Sequence, residues 1–152
     1  MTDKSKEVVI VSAVRTPIGS YRGSLKKMRS DQLGSLVIKE ALKLTKFSSD
    51  EVDEVIMGQV LTAGAGQNPA RQAAINAGIP ISKPAHIINQ VCGSGLRAVI
   101  SGYQSIKLGD SLNVISGGQE NMSIAPHSIF FRDERKISKD KLTDTMINDG
   151  LM

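Results

Sequence analysis

Tryptophan is absent from these 152 residues, phenylalanine and tyrosine number three and two, and there are only one cysteine and two histidines. A single cysteine excludes an internal disulfide. With two histidines it is also too sparse for a closed structural zinc site unless carboxylates or another chain contribute, so no metal is expected. Scarce aromatics leave no stacking platform for nucleic acid. The net charge of +4 could favour anionic ligands, but basic and acidic residues are interspersed, and no nucleic-acid partner is expected. No apolar run approaches membrane-spanning length, which excludes a helical membrane anchor within this sequence. The first residues hold Asp3 and Glu7 beside a short apolar run, unlike a secretory signal or an acid-poor transit peptide. The expected location is cytoplasmic. What is present, 40% hydrophobic and 22% charged residues, is the composition of one globular domain long enough to bury a core.

Val8–Val14 (VVIVSAV) is a β-branched run that predicts a first strand, stopped by Arg15, Thr16, Pro17 and Gly19. Asp31 is the expected cap of a helix whose Leu33, Leu36, Val37, Ala41 and Leu44 keep helical spacing to about Lys46. Ser48, Ser49 and Asp50 mark a short acidic turn or helix start. Glu54–Leu61 predicts strand two. Asn68 and Pro69 then open a helix that Gly78 closes. Ala85–Val91 predicts strand three, Leu96, Val99, Ile100, Tyr103 and Ile106 the apolar stripe of a helix closed by Gly109, and Leu112–Ser116 strand four. Short strands alternating with helices imply an α/β layered fold, a mostly parallel sheet with helices on both faces and loops gathered at the strand carboxyl ends. This rhythm ends at Gly118, and the rest reads as a long excursion from the sheet, which places a boundary between 1–118 and 119–152.

The lone thiol, Cys92, follows HIINQV (residues 86–91) and precedes Gly93, Ser94 and Gly95. It therefore falls where a buried strand gives way to a helix, and the exposed amides and dipole of a helix start favour a thiolate. Gly93 and Gly95 remove side chains near the sulfur, which lets a bulky electrophile approach and leaves backbone N–H groups to stabilise an oxyanion. Ser94 stands between two glycines, but a nucleophile elbow needs the wider spacing G-x-S-x-G, so it reads as a cap and loop support. Gly64, Ala65 and Gly66 form no G-x-G-x-x-G after the first strand and read as a turn, which excludes a dinucleotide site. His86 reads as a packed histidine and His127 as a loop residue shaping a pocket or an interface. Asn68 and Arg71 read either as support for an active-site loop or dimer contact, or as a cap and a solvated cation. Arg132, Arg135, Lys136, Lys139 and Lys141 either attract phosphates or form a solvated loop, and Met122 either borders a pocket or packs in the core.

The stretches VVIVSAVRTPIGSYRGSL, LTAGAGQNPARQAAINAGIP, INQVCGSGLRAVISGYQSIKLGD, VISGGQENMSIAPH and MINDGL, in that order, resemble the amino-terminal part of a thiolase, nearest the biosynthetic acetyl-CoA acetyltransferase type. The resemblance implies a thiolase-like layered fold in which residues 1–118 form the amino-terminal half core, lacking its last strand, and 119–152 begin an inserted loop domain. It implies that Cys92 is the residue acylated by a thioester and that its own N–H is an oxyanion donor. The implied reaction is a Claisen condensation of two acetyl-CoA molecules to acetoacetyl-CoA, reversible as thiolysis. Coenzyme A thioesters are then substrates, and no tightly bound cofactor is expected. The family's activating histidine, second cysteine and asparagine-held water would lie beyond Met152, so this stretch alone is expected not to turn over. A homo-oligomer, tetrameric in the family, or a complementary carboxyl-terminal chain is the expected partner. The alternatives are a ketoacyl synthase acting on carrier-protein thioesters, and a non-catalytic fragment that only associates with a complementary chain.

Overall fold

The computed structural model describes residues 7–130 and 142–152. Three parallel strands, β1 (Glu54–Gly58), β2 (Ala85–Ile88) and β3 (Val114–Gly118), form a sheet in the order β2-β1-β3. Val55 lies opposite both Ala85 and Ile115, which sets the register across all three strands. Helices α1 (Ser30–Thr45), α2 (Pro69–Ala77) and α3 (Ser94–Leu108) cover both faces, as parallel crossovers require. Val55 and Met57 of β1 pack with Ile38 of α1 and Ala70, Ala73 and Ala74 of α2. The alternate residues turn to α3, where the Ser105 hydroxyl donates to Glu54. The α/β layered architecture thus agrees with the sequence reading.

α2 is built as its local signals dictate. The side chain of Asn68 accepts the Arg71 N–H, Pro69 occupies the first turn, and Gly78 closes the helix at φ 93°. α1 departs from expectation. Asp31 is not the cap; Arg29 holds that position, and its guanidinium grips both Asp31 oxygens at 2.8 and 3.0 Å inside the first turn. A buried carboxylate gains more from a bidentate cation than from the helix amides.

The first expected strand is not formed. Residues 7–20 hold no regular structure, and Val9, Ile10 and Val11 are about two-thirds exposed or more. A strand exists only when a neighbour bonds to it. Here a cavity of about 1280 Å³ is lined by residues 7–21 on one side and by β3 on another. The remaining strands are shifted or shortened by side chains that take their amides. The Asp53 carboxylate accepts the N–H groups of Leu112 and Asn113, so β3 begins at Val114 and runs to Gly118 rather than spanning Leu112–Ser116. Glu120 accepts those of Val60 and Leu61, which ends β1 at Gly58 rather than Leu61.

The face of α3 was also misassigned by its large apolar residues. Ser94, Ala98 and Gly102 are the buried positions, whereas Val99, Ile100, Tyr103 and Ile106 line the cavity and Leu96 is exposed. The reason is distance: a Cβ on Gly102 would collide with the Ser116 hydroxyl and lie 3.1 Å from Val114 Cγ1. Only small residues fit between helix and sheet.

Residues 119–130 and 142–152 lie against this core. They contain a 3₁₀ turn (Met122–Ile124), the antiparallel pair β4 (His127–Ser128) and β5 (Thr143–Asp144), and α4 (Thr145–Gly150). Asn121 donates to the carbonyls of Leu25, Lys26 and Met28, and Ser123 accepts the Arg22 N–H at 2.8 Å. Among the described residues, no helix is long and apolar enough to cross a membrane.

Candidate active site

β2 ends at Ile88, opposite Gly58 where β1 also ends and three residues before the end of its apolar run, and the chain then turns at Val91. Val91 has φ 49° and leaves the strand path. The Gly93 N–H donates to Gln90 C=O and the Ser94 N–H to Val91 C=O, closing a tight turn, and the first amide bond of α3 runs from Arg97 to Gly93. Cys92 sits on this turn, exposed, immediately before the helix cap Gly93. The early amides of a helix carry its positive end. The sequence therefore located the thiol correctly, at the junction of strand and helix.

The three residues after Cys92 have distinct surroundings. Gly93 caps α3 in a helical conformation, and a Cβ there would lie 3.3 Å from Gln90 O. Ser94 is buried, its hydroxyl turned back into the reversal. Gly95 faces the sheet: a Cβ there would lie 3.9 Å from the backbone of Gly118. Its bare side serves the approach of helix to sheet.

Sequence reasoning missed the floor of the site. A Cβ on Gly58 would be 2.5 Å from Gly95 N and 2.6 Å from Ser94 O, and one on Gly118 would be 3.4 Å from Gly95 Cα. These two glycines end β1 and β3 and let the start of α3 rest directly on the sheet. The signal was visible as glycine at two strand ends, but only the fold shows that both meet one helix turn. Asn89 was also overlooked. Its side chain accepts the Val91 N–H at 3.0 Å, as an Asx turn does.

The other candidates do not converge on the sulfur. His86 is half exposed with Nδ1 3.3 Å from Glu54, so it is not the packed histidine expected, and His127 lies 3.9 Å from Asp144. Arg71 is no solvated cation: its guanidinium donates to the carbonyls of Ile81 and Lys83, while Asn68 donates to Ala85 C=O, so both pin α2 to the entry of β2. Gly64 and Gly66 have φ 68° and 83°, as a turn requires. Met122 lines the large cavity, and Arg132, Arg135, Lys136, Lys139 and Lys141 lie outside the described residues. Burial raises the pKa of Glu120 above the ordinary carboxylate range against the opposing pull of the Val60 and Leu61 amides. That carboxylate ties the segment after β3 to the one after β1. Among the described residues, no group of three or more metal-ligating side chains converges.

The sequence profile described as the thiolase N-terminal domain matches residues 8–152. The chain belongs to the thiolase family. It is 56% identical over 146 residues to an acetyl-CoA acetyltransferase of Cupriavidus necator, a match covering 95% of this chain and 37% of that protein. It is 51% identical over 151 residues to a cytosolic acetyl-CoA acetyltransferase of Rattus norvegicus, covering 99% and 38%. It is 52% identical over 147 residues to a probable acetyl-CoA acetyltransferase of Escherichia coli, covering 96% and 37%. This thiolase chain thus spans little more than a third of the length of the relatives it matches.

Proposed function

We propose that this chain supplies the nucleophile of an acetyl-CoA acetyltransferase, with Cys92 as the residue acylated. The observation that carries the reading is an exposed thiol on a tight turn at the amino end of α3, in a chain half identical to acetyl-CoA acetyltransferases. The Cys92 sulfur attacks the carbonyl carbon of acetyl-CoA, a C–S bond forms, and the bond to coenzyme A breaks as its thiolate leaves and takes a proton. A second acetyl-CoA loses a methyl proton to a base, and its carbanion attacks the acetyl group. The C–S bond to Cys92 then breaks, releasing acetoacetyl-CoA and returning the thiol. Thiolysis is the reverse. Backbone amides aimed at the developing oxyanion lower both barriers. The Cys92 N–H is the donor we assign. The turn supports this, since the next two amides are already committed to Gln90 and Val91. Coenzyme A thioesters enter as substrates rather than as resident cofactors, and the setting we propose is cytoplasmic.

The base is proposed to come from polypeptide outside these residues, in a complementary chain or within a larger homo-oligomer. Both histidines here face carboxylates and neither is bonded to Cys92. A second observation supports a complementary partner. β3 is bonded to β1 on one side only, and its other edge faces the cavity of about 1280 Å³, walled by the apolar residues of α3 and by the segment from Val8 to Val14. Edges of parallel sheets are ordinarily covered. By this reading the chain alone does not turn over, residues 1–118 form the half core, and 119–152 begin a loop domain.

Intact-mass measurement after incubation with acetyl-CoA tests the proposal, with the carboxyl-terminal part of a relative added or withheld. An acetyl adduct on the wild type, formed without any carrier protein and absent from Cys92→Ala, is the expected result. No adduct even with the complementing part refutes the acyl-enzyme reading, and a requirement for carrier protein moves it to a ketoacyl synthase.

A further inference from the structure

We propose that Ser94 is a positioning residue for Cys92, acting through the backbone of Val91 and not on the sulfur itself. The inference rests on Cys92 being the acylated residue and adds the device that fixes its place. Val91 at φ 49° is in the left-handed region. There Cβ crowds the following carbonyl, and for a β-branched side chain the conformation is an outlier. Such strain persists only where the surroundings over-determine it.

The determinants are three side-chain bonds around one residue. Asn89 Oδ1 accepts the Val91 N–H at 3.0 Å. Ser94 Oγ donates to the Val91 carbonyl at 2.6 Å and accepts the Gln90 N–H at 2.8 Å. One hydroxyl, on a residue only 4% exposed, thus uses its donor and an acceptor lone pair to close the turn on both sides of Val91. Ser94 is the first residue inside α3, and the cap position belongs to Gly93, which has no side chain. The hydroxyl therefore bonds backward into the reversal rather than forward to the helix amides, which separates positioning from capping.

The reversal decides where the thiol goes. An ordinary extended φ at residue 91 would continue the direction of β2 and carry Cys92 away from the start of α3. The clamp holds the chain in the conformation that sets the sulfur beside the helix cap. Valine holds this φ at the cost of strain, whereas glycine would adopt it freely. The need for Ser94 should therefore depend on the residue at 91.

The experiment is a cycle of Ser94→Ala and Val91→Gly, separately and together, with Val91→Ala/Ser94→Ala as the control for side-chain volume. The rate of Cys92 alkylation by iodoacetamide and the rate of acetyl-adduct formation are both followed by intact mass. In the Val91 background Ser94→Ala is expected to lower the Cys92 rates about tenfold, the population change that left-handed strain of this size implies. In the Val91→Gly background the same substitution is expected to lower them less than about twofold, because no strain remains to be held. The Val91→Ala background should keep the full loss. Equal losses in all backgrounds overturn the proposal, since a merely structural hydroxyl would be missed everywhere alike. Should Ser94→Ala fail to fold by circular dichroism, the double variants decide. A folded Val91→Gly/Ser94→Ala beside an unfolded Val91→Ala/Ser94→Ala supports the clamp, and two unfolded doubles overturn it. Alkylation needs no acetyl-CoA, so a wild type that takes no acetyl group counts against the acyl-transfer reading while the clamp is still judged.

Discussion

Gly58 ends the central strand directly beneath the first turn of α3, and adding one methyl group there is the sharpest test of how the thiol is held. The new Cβ would meet Ser94 C, lie 2.5 Å from Gly95 N and 2.6 Å from Ser94 O. All three are backbone atoms, so no side chain can rotate away. Comfortable carbon contacts begin near 3.5 Å, and the helix start must therefore lift by roughly 1 Å. Overpacking of this kind costs about 1–3 kcal/mol. The same displacement at a reacting centre can lower a rate about a hundredfold. Gly117 on the neighbouring strand is the internal control: a Cβ there would meet Met57 Sδ at 3.8 Å and Cε at 3.9 Å, ordinary contact distances. Gly117→Ala should stay within about 1 kcal/mol of wild type. The measurements are the urea midpoint by circular dichroism and the rate of Cys92 alkylation by mass. Gly58→Ala should lower both and Gly117→Ala neither. A Gly58→Ala variant with wild-type midpoint and wild-type alkylation would refute the reasoning that this strand end sets the height of the helix.

Two further outcomes follow from the packing of Gly34 and the amides around Asp53. A Cβ on Gly34 would strike Gln119 Oε1 and lie 3.2 Å from Ala73 Cβ, so Gly34→Ala is expected to displace the buried Gln119 from its 2.9 Å bond to Gln59. The expected loss is about 2–3 kcal/mol in urea unfolding, and a loss below about 0.5 kcal/mol would show that Gln119 repacks freely. The amides of Asn113 and Leu112, with Lys83 beside them, hold the Asp53 pKa below its ordinary 3.8. A carboxylate depressed in the folded state stabilises fully above the unfolded value and loses that stabilisation as pH falls through the folded one. Thermal melts should therefore show the wild type losing stability below about pH 4 and Asp53→Asn flatter over that window; parallel curves would exclude Asp53 as the source.

The parts of the fold that were legible in the sequence are those whose causes are local. Asn68, Pro69 and Gly78 start and stop α2 by themselves, and the passage from an apolar run to Gly-Ser-Gly located Cys92 at a helix start. What depended on a distant partner was not legible. Val8–Val14 has every residue a strand wants except a neighbour to bond. Leu96, Val99, Ile100 and Ile106 of α3 are far more apolar than Ser94, Ala98 and Gly102, yet the small residues face the sheet because only they fit. Val91 reads as strand yet lies in the turn three residues beyond the end of β2, since valine at positive φ is something no propensity anticipates.

The small residues and the strained one lie along a single seam. Gly58 and Gly118 lower α3 onto the sheet, Gly95 faces them from the helix, Ser94 ties the helix start to the reversal, and Val91 turns the chain so that Cys92 emerges at the top. Close packing transmits displacement, so this seam fixes the sulfur using residues of this chain alone. The opposite side of α3 is different. There Val99, Ile100, Tyr103 and Ile106 look across an open cavity to the unpaired segment before Tyr21. On the proposed reading the two halves of the chemistry therefore separate: capture of an electrophile by Cys92 requires only the seam, whereas condensation requires a base and a covered cavity. Alkylation of Cys92 should proceed in this chain by itself at a rate that the complementing polypeptide changes little. Acetoacetyl-CoA formation should appear only when that polypeptide is present.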